Sequence, residues 1–159
     1  MKTLIIYSGK HGTTQECAET LAGYLDGQTD LFNLKKEKGY NSENFKAYDR
    51  IVLGGSFYVG QMQNEIKEFC RNEKTLLMEK LSGIFVCGMR QDDDMKNQIA
   101  QAFPDEIIQK AKVVEHFGGA FVFKRLGFFE KLIVKKVAGI DKDHSTISKD
   151  RIKDFANRI

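Results

Sequence analysis

The densest concentration of chemistry in this chain is Ser8 to Thr14, "SGKHGTT", which follows the apolar run Thr3 to Tyr7 directly. Gly9 and Gly12 permit backbone shapes that side chains forbid and let a ligand come close to the main chain. Ser8, Thr13 and Thr14 add hydroxyl donors. A helix starting here would also present its unpaired first N–H groups at its positive end. Together these features describe a cradle for a phosphate. It is not a Walker loop, because no lysine follows Gly12, nor a dinucleotide fingerprint, because only Gly9 and Gly12 supply glycine. No cysteine opens a Cys-x5-Arg phosphatase loop, and "LGGS" stands where a receiver domain would carry its aspartate. An ordinary glycine-rich turn between strand and helix stands as the alternative.

Length and composition confine what such a cradle can serve. A chain of 159 residues, 42% hydrophobic and 30% charged with one proline, fits a single globular domain, 1–159, around one core. No apolar window reaches the length of a membrane span, and Thr3 to Tyr7 is too short for a secretory leader. Cys17, Cys70 and Cys87 are odd in number and form no CxxC pair, which points to free thiols and a cytoplasmic setting. A net charge of +3 is too small to imply a nucleic-acid partner. His11, His116 and His144 are scattered, so no metal site is expected.

The elements that must position the cradle read as alternating strands and helices. Thr3 to Tyr7 reads as the first strand, and Cys17, Leu21, Tyr24 and Leu25 recur at helical spacing up to a stop at Gly27. Thr29 to Leu34 follows as the second strand, Lys35 to Asn44 as a loop with room for a helical turn, and Ile51 to Gly54 as the third strand. After a loop at Ser56 to Gln61, a helix carries Ile66, Phe69 and Cys70 and ends before Lys80. "GIFVCG" is the fourth strand, an acidic loop and a helix interrupted near Pro104 come next, and Val113 to Phe117 is the fifth. Ser148 has the chemistry of an N-cap for a last helix striped by Ile152, Phe155 and Ile159. The strands are apolar throughout rather than alternating, as buried parallel strands are, so the pattern describes a three-layer α/β sandwich. Ligands of such sheets bind outside the carboxyl ends of the strands, which singles out the loops after strands one, three and four.

With "YSGKHGTT", "YDRIVLGGSFYVGQ" and "VCGMRQDDD" at those three places, the chain resembles the flavodoxin-like FMN-binding family over nearly its whole length. "MKTLIIYS", "GGSFYVGQ" and "GGAFVFKRLGFFEKLIVKKVAG" make it most similar to the branch of flavodoxin-type, menaquinone-dependent protoporphyrinogen oxidases. The resemblance implies a five-stranded parallel sheet in the order 2-1-3-4-5 with helices on both faces, and FMN as cofactor. The family's first loop, Thr/Ser-x-Thr-Gly-x-Thr, falls on Gly9 to Thr14; Gly12 and Thr14 match, whereas Gly9 and His11 stand where hydroxyl residues are usual. It implies a phosphate site among Ser8, Gly9, Lys10, His11, Gly12, Thr13 and Thr14, with His11 read as a solvent-facing loop residue. Ser56, Phe57, Tyr58, Val59 and Gly60 would border the flavin ring, with Gly54 and Gly55 letting the backbone approach it. Phe57 or Tyr58 would stack on the ring or else pack into the core. Cys87, Gly88, Met89 and Arg90 complete the set, Cys87 as a small buried residue and Arg90 as a cation near the ring's pyrimidine end. The third loop carries no aromatic residue, leaving one ring face open, and Asp92 to Asp94 would cap the next helix and face water.

Lys124 to Val137, "KRLGFFEKLIVKKV", sets five cations against the single acid Glu130, with Leu126, Phe129, Leu132, Ile133, Val134 and Val137 partly at helical spacing. Such a segment either lies on a membrane surface or covers the sheet edge beside the flavin with its lysines in water. The second is the reading adopted. A basic lip there would suit porphyrin propionates, a quinone at an anionic membrane, or an acidic redox partner protein. The expected function is therefore electron transfer through FMN. A protoporphyrinogen oxidase-type enzyme passing electrons to a quinone is one alternative. A non-redox domain that has lost FMN, for which the two missing hydroxyls speak, is another.

Overall fold

The computed structural model describes residues 1–159. The first half of the chain forms β1 (Lys2–Ser8), α1 (Thr13–Ala22), β2 (Gln28–Asn33), a 3-10 turn at Ser42–Ala47, β3 (Arg50–Tyr58), β4 (Gln61–Met62), α2 (Asn64–Asn72) and α3 (Lys74–Lys80). Then come β5 (Leu81–Cys87), α4 (Asp92–Ala102), α5 (Asp105–Lys110), β6 (Val113–Gly118), β7 (Ala120–Phe121), α6 (Phe128–Ala138), β8 (His144–Ser145) and α7 (Lys149–Arg158). Five strands pair in parallel in the spatial order β2-β1-β3-β5-β6, the order expected. Two features exceed that expectation: β4 folds back antiparallel on β3, and β7 pairs with β8 in a separate ribbon.

Both faces of the sheet are buried. Leu4, Ile6, Leu53 and Ile84 point to α2, α3 and α5, joining Ile66, Phe69, Leu77 and Ile107 in one cluster. Ile5, Val52, Phe85 and Phe117 point to the other face, where Cys17, Leu21, Ile152 and Phe155 cover them. Alternate residues of the central strands thus feed opposite layers, which is why β1, β3 and β5 are largely apolar on both faces, while the edge strands β2 and β6 carry polar residues as well. Ser148 caps α7 as expected, its hydroxyl accepting from the Arg151 N–H at 3.3 Å, and Ile152 and Phe155 are fully buried.

Several boundaries differ from the sequence expectations, each for a local reason. α1 stops at Ala22, capped by the Gly23 N–H, and Tyr24 is exposed. Gly27 instead turns the chain into β2 with φ of 87°, and a Cβ there would lie 2.2 Å from the Met1 carbonyl oxygen. β3 runs four residues past Gly54, because the hairpin with β4 keeps Ser56, Phe57 and Tyr58 in strand geometry. The helix expected through Phe69 divides at Glu73 into α2 and α3.

Close backbone approaches fix the sheet's carboxyl edge. Phe85 lies across Gly54 of the neighbouring strand, where a Cβ would meet the ring at 2.1 Å. The same ring stacks on Phe117 with centroids 4.8 Å apart and planes within 8°. Gly54→Ala should therefore overpack a closed core and lower unfolding stability by about 3 kcal/mol in a denaturant titration. A loss under about 0.5 kcal/mol would show that Phe85 has room to move.

Candidate functional site

At the switch between β1 and β3 the three loops meet around one cavity of about 340 Å³. Lys10, His11, Thr13 and Thr14 come from the β1–α1 loop, Ser56 to Gly60 from the β3–β4 hairpin, and Cys87 to Arg90 from the turn after β5. Thirteen of the sixteen expected site residues thus line one space. Ser8, Gly9 and Gly12 do not. Ser8 is fully buried and donates to the Glu65 carboxylate at 3.2 Å. Gly9 and Gly12 border a second, polar hollow with Lys10, Gln15, Asn33 and Lys36.

The glycines of the first loop have separate physical reasons. Gly12 has φ of 89°, the left-handed conformation that starts α1 without any side-chain cap on the helix. A Cβ on Gly9 would lie 2.4 Å from the hydroxyl oxygen of Thr14, which is itself buried. No hydroxyl-bearing residue can stand at Gly9 while Thr14 keeps that place. Gly54 and Gly55 do not border the cavity; the rings and sulfur of the core, Phe85 and Met62, impose them.

His11 is half-buried rather than solvent-facing. It meets the Tyr58 ring edge-on at 5.8 Å, and burial lowers its basicity. The organising group beside it is Glu130, which sequence reasoning treated only as the lone acid of a basic segment. Its carboxylate takes the Lys10 ammonium, accepts from the Tyr58 hydroxyl at 3.1 Å and from the Gly127 N–H at 2.9 Å, and lies 3.5 Å from His11 Nε2. The His11 approach is too poorly directed for a hydrogen bond, so that buried nitrogen has no partner. The Lys10 ammonium also sits 4.1 Å above the centre of the Tyr58 ring. One carboxylate thus joins the first loop, the hairpin and α6.

This latch seats α6 as the fourth wall of the cavity, with Leu126, Ile133, Val134, Val137 and Ala138 facing it. The segment covers the site, as expected, but it also leaves Phe128, Phe129, Leu132 and Val137 substantially exposed. Gly119, Ala120, Phe121 and Gln98 line the cavity as well. Their sequence signals are weak: small or apolar residues at an irregular strand end. The β5–β6 pairing shifts register between Val86 and Cys87, re-aiming the chain toward Gly118 and Gly119. His116 Nε2 contacts the Gly88 carbonyl at 2.7 Å and braces the third loop from behind.

At the cavity floor Cys87 is buried, and its neighbour Cys17 together with desolvation pushes its thiol well above the ordinary range. Arg90 reaches the rim but pairs with Asp94 at 3.2 Å, both largely exposed. Asp92 to Asp94 face water as expected, but they lie within the first turn of α4 rather than capping it: Gln91 is the N-cap residue and no side chain caps the helix. Val59 carries strain: φ is 48° there and 75° at Gly60, the double positive φ of a type I′ hairpin turn. A β-branched residue is a poor occupant of that conformation.

With the geometry in place, comparison with known proteins identifies the class. The model of the flavodoxin domain family matches residues 4–148, and the chain belongs to that family. The family carries FMN as its redox cofactor, and this chain is an FMN-binding redox protein. It is similar to protoporphyrinogen IX dehydrogenase (quinone) of Escherichia coli K12, 26% identical over 154 residues that cover 90% of this chain and 83% of that protein. Among solved structures it shares its fold with the flavodoxin of Streptococcus pneumoniae TIGR4, at a TM-score of 0.58 and 14% identity, covering 99% of this chain and 97% of that one. A Fusobacterium nucleatum flavodoxin mutant bound to flavin mononucleotide matches with a TM-score of 0.52 and 14% identity, over 99% of this chain and 94% of that one.

Two predictions follow from the latch and the hairpin. The Lys10 ammonium first, then the Gly127 N–H, hold the Glu130 carboxyl down at about 2, from an ordinary 4.5. A carboxyl depressed on folding stabilises the fold above its unfolded value, and that contribution fades as pH falls from about 4.5 toward 2. Half-buried His11, held neutral by desolvation, works in the same sense, losing its contribution below about 6.5. Glu130→Gln should therefore melt earlier than the parent at pH 7 and show a flatter decline between pH 4.5 and 3; parallel melting curves would remove the latch. Val59→Asn, which tolerates positive φ, should raise unfolding stability by about 1 kcal/mol by chemical denaturation.

Proposed function

We propose that the cavity between the three loops and α6 holds the FMN. Its phosphate lies at the Gly9–Thr14 loop and its ring between the Ser56–Gly60 hairpin and the Cys87–Arg90 turn. The observation that carries this reading is the convergence of the three loops on one cavity at the β1–β3 switch. The residues present fit the group. The first turn of α1 offers uncapped N–H groups, Thr13 adds a hydroxyl, and the flanking walls are apolar.

Bound FMN supplies the storage and release of electrons. The chain does the rest. Thr13, Thr14 and the left-handed turn at Gly12 fix the anionic end. Tyr58, held by Glu130 and covered on one face by Lys10, is pre-positioned against the ring site and excludes water. The third loop carries no aromatic residue to screen the ring's outer face, so that a reaction partner has access from that loop and α6. Ser8 acts one step back, fixing the strand end through Glu65.

A second reading concerns the partner. The E. coli relative is named for protoporphyrinogen and a quinone, and the apolar α6 wall supports a flat, apolar electron partner such as a quinone here too. The porphyrin would present its acidic edge to Lys124, Lys131, Lys135 and Lys136. No helix is long and apolar enough to cross a membrane. The exposed Phe128, Phe129 and Leu132 beside those lysines support a peripheral contact of this segment with an anionic bilayer.

Protein as isolated should absorb as a flavoprotein and release FMN on heating; a colourless protein that does not take up added FMN would refute the assignment. Gly12→Val should weaken FMN binding at least a hundredfold in a fluorescence titration, because valine resists φ near 89° and would crowd the adjacent guanidinium. Turnover of protoporphyrinogen with a menaquinone analogue separates the enzyme from a carrier. Flotation with anionic but not neutral vesicles, lost in Phe129→Glu, tests the bilayer contact.

A further inference from the structure

The first loop has lost two hydroxyls relative to its family's form, and the structure shows that Gly9 cannot regain one while Thr14 fills its place. The cations nearby are not equivalent. Lys10 is committed: its ammonium is bound by Glu130 and lies on the Tyr58 ring. Arg125 is different. It arrives from the strap before α6, a 3-10 turn at Phe123–Arg125, 113 residues after Gly12, and lies against the loop from outside.

A Cβ placed on Gly12 would be 3.1 Å from Arg125 Nη1. Nη1 donates to the His11 carbonyl at 3.3 Å, and Nη2 donates to the Glu16 carboxylate at 2.5 Å. A guanidinium carries five N–H donors, and these contacts leave donors unused. Its location is also costly. It places a positive charge at the positive end of α1, a helix with no side-chain cap, and only the exposed Glu16 offsets it. A phosphate dianion in the loop would turn that repulsion into attraction from both the helix end and the guanidinium.

We propose that Arg125 is the residue that makes this loop select a phosphorylated flavin, its charge replacing the donors lost at Gly9 and His11. The inference rests on the flavin reading above. Recognition of the anion then depends on the strap as well as on the loop, and the strap in turn carries Leu126 into the cavity wall. Arg125 acts on the phosphate end alone and makes no contact with the ring site.

The test compares FMN with riboflavin, which lacks the phosphate, on the flavin-stripped full chain. Arg125→Gln should raise the Kd for FMN about tenfold, leave that for riboflavin within twofold, and flatten the dependence of FMN binding on salt. Arg125→Lys, which keeps the charge, should restore most of the preference. Equal losses for both flavins would mean that Arg125 only braces the loop, and unchanged FMN affinity would mean that it plays no part; either overturns the proposal. If the parent binds neither flavin, the cofactor assignment itself falls, a different result from parent binding that Arg125→Gln leaves intact. Unchanged melting of the flavin-free variant confirms that the loss is one of recognition.

Discussion

The carboxyl edge of the sheet is held by backbone that comes too close to its neighbours to carry side chains. Phe85 occupies the space above Gly54, Met62 that above Gly55, and Thr14 that above Gly9. Gly119 presses its main chain against Gly88 so tightly that a Cβ would lie 2.5 Å from the Gly88 carbonyl. The bulky partners are core residues, so the same dispersion contacts that stabilise the interior set the curvature of the loops above it. Position at the site is inherited from packing below it.

Onto that rigid rim the fold adds one polar fastening. Glu130 gathers an ammonium, a phenol hydroxyl and a backbone N–H at the partly exposed rim of the cavity. Its effect is architectural: it brings a helix with an apolar inner face over a cavity whose remaining walls come from three short loops. Burial draws Leu126 and Val134 out of water, and the latch fixes where the helix that carries them sits over the cavity. The helix also carries its cations outward, so one element serves as a lining on one side and as a basic surface on the other.

Much of this was legible in the sequence. Continuous apolar strands, the small residues of "SGKHGTT" and the N-cap chemistry of Ser148 each point to one local structure, and each forms it. The three loops were legible because parallel sheets put their ligands at one edge. What remained hidden depended on distance along the chain or on exceptions to local rules. Val59 concealed the β3–β4 hairpin, since a β-branched residue is the opposite of what a type I′ turn prefers. Ser8 looked like a ligand donor because its type allows it; only packing shows it turned inward to Glu65. Gly54 and Gly55 looked like room for a ring, whereas the space belongs to Phe85 and Met62. Glu130 could not be read as a partner of Lys10, because nothing local relates residues 120 positions apart.

That separation bears on how the molecule comes into being. The first loop is made well before the strap and helix that fasten it. Closing a loop of such length carries an entropic cost that no nearby contact defrays, so the fastening belongs to the late side of the folding barrier. Until then Lys10 stands in the first loop without the carboxylate that later holds it.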